Sequence, residues 1–389
     1  MARQTVAALL VAALLLAGCA DDDADPGAED TASPQAPTSE ASAPSEPPSS
    51  DASSEPTSEA PAGPPRVVGT VASGLATPWG LDFLPDGRAV VTERDTARVL
   101  VVTPPEDGRG EGQVLEVGRV PETAPQGEAG LLGVAVSPDF ETDRLLYFYV
   151  CTADDNQVVR AELDGRRLGE PEPVLSGIPN GFIHDGGRLE FGPDGFLYVS
   201  TGEVGEPALA RERGGYAGKI LRITTEGDPA PGNPFGDEVW SWGHRNVQGL
   251  AFDDAGRLWA SEFGQDSSDE LNLIEAGADY GWPDAEGEGG GPGQVDPALT
   301  WSTDEASPSG LAHLDGQLWM AALQGERLWR ITLDGRRARA PRAFLTGEHG
   351  RLRTVAVAPD GMLWVTTSNR DGRGDPAPED DRILVVSPG

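Results

Sequence analysis

One short pattern recurs six times along this chain, and nothing else in it constrains the fold as strongly. GLDFLPDGRAVVTE from Gly80, GVAVSPDF from Gly133, RLEFGPDGFLYVSTGE from Arg188, GLAFDDAGRLWASE from Gly249, GLAHLDGQLWMAAL from Gly310 and TVAVAPDGMLWVTTS from Thr354 are variants of one theme. Each has a short alternating strand, a turn usually containing Asp and Gly, and a second strand rich in Leu, Trp, Tyr, Val and Thr, so each reads as a β-hairpin. The copies start about 44 to 61 residues apart, a spacing that suits a four-stranded blade rather than one hairpin of a meander. The expected fold is therefore all-β: a six-bladed β-propeller of four-stranded antiparallel blades. No segment sustains a 3.6-residue apolar period, so helices should be few and short. The strand-like RVVGTV from Arg66 should complete the last blade and close the ring, leaving no sheet edge open to aggregation. Two stacked β-sandwiches would also use many short strands, but a single regular repeat favours the ring.

The ends have a different character. Arg3, the apolar run Val6 to Leu16 and the small residues Ala17 and Gly18 form a secretory signal over residues 1–18. The run is too short to span a bilayer comfortably, which takes roughly 20 residues. LLAGC resembles the bacterial lipobox, which makes Cys19 the expected lipidation site and mature N-terminus. Residues 19–65 are almost only Asp, Glu, Ser, Ala, Pro, Thr and Gly. Such a stretch cannot offset its ordering entropy by burying apolar surface, so a disordered tether is expected, holding the 66–389 domain away from a membrane. The domain is then exported and lipid-anchored at the outer face of the cytoplasmic membrane.

The formal net charge is -35 and Lys219 is the only lysine. Nucleic acid is excluded as a partner, because phosphate contacts need a basic surface. Clustered arginines become informative for the same reason, since an anionic ligand would need them. Cys151 is the only cysteine besides Cys19, so no internal disulfide can staple the domain.

Four clusters carry candidate chemistry. IHDGGRL holds His184, and Glu203 ends the second strand of that repeat; a histidine is the natural general base near neutral pH, and a carboxylate on its other nitrogen fixes the tautomer. WSWGHRNVQGLAF crowds His244, Arg245, Asn246 and Gln248 into one turn, a density of polar groups that a ligand or mutual bonding must satisfy. SEFGQDSSDELNLIEAGADYGWP mixes Glu262, Asp266, Asp269 and Glu270 with glycine-rich turns, the oxygen supply that calcium prefers, or simply a solvated acidic loop. In GRLRTVAV, Arg351 and Arg353 stand two apart at a strand start and so point to one face, where they suit a carboxylate-bearing ligand or surface ion pairs.

Taken in order, PWGLDFLPDGRAVVTER, GEAGLLGVAVSPDF, HDGGRLEFGPDGFLYVSTGE, AGKILRI followed by GNPF, GHRNVQGLAF, SEFG with DELNLI and YGWP, and GRLRTVAVAPDG resemble the pyrroloquinoline-quinone (PQQ)-dependent soluble aldose sugar dehydrogenases. The likeness runs from about Val67 to Pro388. It implies that the quinone lies flat over the channel mouth and that His184 takes the proton from the sugar C1 hydroxyl as hydride passes to the quinone, giving a lactone. Glu203 stands where the family has an aspartate partnering that histidine. Arg245 and Asn246 match residues facing the quinone oxygens, Gln248 completes their turn, and Arg351 and Arg353 match those holding cofactor carboxylates and lining the sugar side. Backbone at Gly264 and Gln265 would coordinate a Ca2+ ion that touches the cofactor, and Glu270 and Tyr280 match ligands of a second, structural calcium.

Three departures stand out. Glu128 replaces a glutamine beside the cofactor, where a carboxylate would repel the quinone's charges unless paired or protonated. Gln324 replaces a cofactor-binding lysine, and Gln265 a proline whose carbonyl binds calcium. The implied partners are an aldose sugar, an extracytoplasmic electron acceptor and, through the N-terminal lipid alone, a membrane. A non-catalytic carbohydrate- or protein-binding propeller and a calcium-dependent lactonase remain open as alternatives.

Overall fold

The computed structural model describes residues 63–106 and 110–389. The signal segment, Cys19 and nearly all of the expected tether lie outside the described residues. Six antiparallel sheets follow one another along the chain. Blade 1 opens on Pro78–Phe83, blade 2 on Leu131–Val136, blade 3 on Gly186–Phe191, blade 4 on Val247–Phe252, blade 5 on Pro308–Leu314 and blade 6 on Leu352–Val357. These are the first strands of the six sequence repeats, and each is the inner strand of its blade, packed against the inner strands on either side.

Blade 6 is completed by the chain's first described strand: Arg66–Ala72 pairs antiparallel with Ile383–Ser387, so the ring closes as the sequence implied. Blade 2 departs from the four-strand pattern, since the two-residue strand Arg167–Leu168 adds to Asn156–Asp164. Among the described residues the helices are one α-helical turn, Phe140–Asp143, and one 3-10 turn, Pro207–Arg211.

The core is divided rather than central. Six apolar clusters lie one between each neighbouring pair of blades; Phe148 and Val99 meet between blades 1 and 2, Trp319 and Val355 between blades 5 and 6. Every blade is thus covered on both faces, which is why second strands such as Ala89–Glu93, Leu197–Thr201 and Leu363–Thr367 are buried at every residue instead of alternately. Near the centre the blades approach backbone to backbone. A Cβ on Gly133 would sit 2.3 Å from the Gly187 carbonyl, and one on Gly310 2.7 Å from Cα of Thr354, so these repeat glycines are dictated by blade-to-blade distance.

In blade 3 the equivalent position holds Arg188, whose buried side chain crosses the channel. Its Nε donates to the Gln248 carbonyl of blade 4 at 2.8 Å and its Nη2 to Thr354 Oγ1 of blade 6 at 3.1 Å. Its guanidinium carbon lies 4.4 Å from the ring centre of Trp79 in blade 1. Burial pulls its pKa down to about 10, leaving it a cation at neutral pH. One residue therefore ties four blades together and forms a floor at one end of the channel.

Candidate active site

His184 and Glu203 are brought together as their sequence positions suggested. His184 lies just before the inner strand of blade 3 with φ 60°, a left-handed conformation that costs a non-glycine residue about 1–3 kcal/mol and must be held by its surroundings. It is held at both ends. Its N–H donates to Glu128 Oε2 at 3.1 Å and its carbonyl accepts from the Val204 N–H at 3.2 Å. Gly202 leaves the necessary space, since a Cβ there would fall 1.7 Å from the His184 carbonyl oxygen. On the ring, Nδ1 pairs with Glu203 Oε1, and Glu203 is buried at 1 % exposure. That leaves Nε2 as the nitrogen able to exchange a proton with a bound molecule.

Beside this pair is a cavity floored by Trp79 and walled by arginine. Arg94, Arg353 and Arg373 line it with Gln248, Glu128 and Asp185. Arg353 is buried; its Nη1 donates to Gln248 Oε1 at 3.2 Å, and burial lowers its pKa to about 9. Arg351 stands behind it, donating to Asp371 Oδ2 at 3.0 Å, and Arg353 reaches the same oxygen at 3.5 Å. Burial would raise the Asp371 pKa, but Arg353 and Arg351 together hold it below the usual carboxylate range. Asp185 is pushed up to about 6 by burial and keeps one carboxylate oxygen unpartnered.

An adjoining cavity shares Phe263 and contains Arg245. The backbone N–H of Arg245 is fixed by Glu262. Its Nε, although buried, has no hydrogen-bond partner, and burial lowers its pKa. Asn246 Oδ1 accepts the Gly186 N–H at 3.1 Å, linking this turn to the His184 loop. His244 is spent on structure: it is buried between Glu262 Oε2 at 2.9 Å and Ser241 Oγ at 2.8 Å and stacks on Tyr280.

The acidic loop is organised around one carboxylate. Successive N–H groups of Gln265, Asp266, Ser267 and Ser268 donate to Glu286 Oε1 at 2.8–3.0 Å, and these bonds keep Glu286 below its ordinary pKa against the opposing effect of burial. In a trans peptide the carbonyl points opposite to the N–H, so the Gly264 and Gln265 carbonyls face away from Glu286. Glu270 and Tyr280 are already engaged. Glu270 accepts from the Gly287 N–H and from Asn272 Nδ2, and the Tyr280 hydroxyl donates to the Leu273 carbonyl and accepts from the Glu275 N–H. Among the described residues no three His, Cys, Asp or Glu side chains form a group able to hold a metal ion.

The family model for glucose/sorbosone dehydrogenase matches residues 75–377. The chain belongs to that family. Among solved structures, it is 55 % identical to the PQQ-bound form of aldose sugar dehydrogenase from Streptomyces coelicolor, with a TM-score of 0.80, over 83 % of this chain and 97 % of that one. It is also 29 % identical to an aldose sugar dehydrogenase of Escherichia coli, over 81 % of this chain and 91 % of the relative. Quinoprotein glucose dehydrogenase B of Acinetobacter calcoaceticus is 34 % identical over 56 % of this chain and 52 % of its own.

Within this member of the family the residues named from sequence differ in where the structure puts them. Gln248 and Arg353 line the first cavity and Arg245 the second, with Arg351 behind Arg353; His184, Glu203 and Asn246 line neither but are bonded to lining residues, Glu128, Arg245 and Gly186 in turn. Glu128 is at the site too, and it is paired: Arg373 Nη1 reaches its Oε1 at 2.7 Å. Its pKa is held low by the His184 N–H and Arg373 despite burial, so the repulsion it could exert is met by ion pairing. Gln324 does not take part, for its side chain is exposed and the neighbouring Leu323 lines the cavity instead. Arg94, Asp185, Asp371 and Arg373 were missed. The last two lie in DGRGD (371–375), an unrepeated loop whose charges are inconspicuous in a chain with 64 acidic residues. Phe182, two residues before His184, is exposed at 66 %.

Proposed function

We propose that this chain is a quinoprotein aldose dehydrogenase that binds PQQ in the arginine-lined cavities and oxidises aldoses at C1 to lactones. The observation that carries the proposal is the convergence, in a chain of net charge -35, of a histidine–carboxylate pair with Arg94, Arg245, Arg353 and Arg373. The buried, unpartnered Nε of Arg245 fits an oxygen-bearing ligand there, and the Streptomyces relative's PQQ-bound form agrees with that class of ligand.

Arg245 and Asn246 would hold the oxygens of the cofactor, and Arg353 and Gln248 its polar edge. Bound PQQ supplies the acceptor for the hydride that leaves C1. His184 Nε2 takes the C1 hydroxyl proton, and Glu203 stabilises the resulting imidazolium and holds the ring in register. Phe182, exposed two residues before that base, would offer an apolar face to the C–H face of a sugar. Calcium is part of the proposal at the Gly264 and Gln265 carbonyls, which accept no hydrogen bond among the described residues. Glu270 and Tyr280, whose side-chain oxygens are spent on protein partners, are poorer candidates for a second ion. Lipidation at Cys19 would hold the enzyme outside the cytoplasmic membrane, with an extracytoplasmic acceptor reoxidising the cofactor.

Substitution His184→Ala tests the assignment. Turnover should fall by about 10²–10⁴-fold, the range for loss of a general base, while the Kd for PQQ, read by tryptophan quenching, stays within a few-fold. Equal turnover in the variant and the wild type would remove His184 from the chemistry. Chelation should lower turnover and added calcium restore it; indifference to both would remove the ion.

A further inference from the structure

The arginines of the cavity are not equivalent. Arg353 is buried, bonded to Gln248 and Ser368 Oγ and paired with Asp371, so it meets a ligand only from the fixed position it already holds in the cavity wall. Arg94 is likewise buried and bonded to Asp95 at 2.6 Å. Arg373 differs: its side chain is 57 % exposed, and its partner is a carboxylate of the cavity itself, Glu128.

The backbone beneath Arg373 is nevertheless fixed. Asp371 Oδ2 takes Arg351 and Arg353, and its Oδ1 accepts the Arg373 N–H at 2.9 Å. Gly374 follows where a Cβ would come within 2.7 Å of Asn369 Cα. A fixed base therefore carries an exposed guanidinium at the cavity, paired with a carboxylate.

We propose that Arg373 is an anion clamp for the cofactor, held in readiness by Glu128 and transferred to a carboxylate of the ligand when it binds. The inference rests on the quinoprotein assignment. An arginine is suited to such a transfer because its planar fork bonds one carboxylate as readily as another. Glu128 then has two tasks: it keeps the guanidinium over the cavity and, through Oε2, it holds the His184 N–H. The first task makes it a competitor of the ligand.

The two partners of one ion pair should therefore respond in opposite directions. In Arg373→Gln the Kd for PQQ, measured by tryptophan quenching on the intact protein, should rise about tenfold, the loss of one charge-assisted bond. In Glu128→Gln, which keeps an acceptor for His184, PQQ should bind severalfold more tightly. Arg373→Lys should recover part of the affinity. If the pair only braces the loops, both single variants weaken binding alike, and that result overturns the clamp; so does unchanged affinity in Arg373→Gln. A wild-type protein that binds no PQQ would instead overturn the quinoprotein assignment itself. Matched thermal melts confirm that the exposed Arg373 can be replaced without unfolding the domain.

Discussion

Asp371 holds one side of the site together, although nothing in the sequence singles it out. One buried carboxylate orients Arg351 and Arg353 and fixes the backbone of Arg373. Replacing it with asparagine leaves two buried guanidiniums without their counter-charge, a change that costs about 3–5 kcal/mol in such settings. The pH dependence follows from the direction of its shift. A carboxylate whose folded pKa is depressed binds fewer protons folded than unfolded, so its stabilisation is complete above the ordinary aspartate value of 3.8 and is lost as pH falls through the folded value. Denaturant titrations should show Asp371→Asn less stable at neutral pH, with stability that falls less steeply below about pH 4 than in the wild type. Parallel pH profiles in the two proteins would mean that Asp371 is not held ionised by its arginines.

At the level of strands and loops, the repeat glycines set how closely blades approach. Gly310 has ordinary backbone angles, yet a Cβ there would meet Thr354 Cα at 2.7 Å and the Arg353 carbonyl at 2.9 Å. Gly310→Ala must push blades 5 and 6 apart, at about 1–3 kcal/mol, and the strand it displaces carries Arg353. We expect a lower Tm together with weaker PQQ binding. Gly69→Ala, with nothing within 4 Å, is the control that should lower neither; an equal fall in Tm in the two variants would mean that the close approach at Gly310 is not the cause. The hairpins and the closing strand were legible because alternation and turn chemistry are local. His184 and Glu203 were legible because they flank a repeat, one before its first strand and one after its second. Arg373 was not, because it acts across the ring on Glu128, 245 positions away. The fifth strand of blade 2 is two residues long, too short for a periodic signal.

At the scale of the whole molecule, the domain has no single core. Six interfaces between blades share the burial, Arg188 ties blade 3 to three others across the channel, and the first strand closes the last blade. This arrangement lets loops from separate blades meet at one mouth: Glu128 before blade 2, His184 before blade 3, Arg245 before blade 4 and Arg373 from blade 6. A chain with a net charge of -35 here concentrates guanidinium groups where an anionic cofactor would lie, and places a histidine–glutamate pair beside them. The most direct test is dye reduction by the purified domain over a panel of aldoses, with and without PQQ and calcium. Quinone-dependent reduction with at least one aldose, abolished when PQQ is withheld, is the predicted result. No reduction with any aldose, together with an unchanged quinone absorbance on mixing, would contradict the assignment.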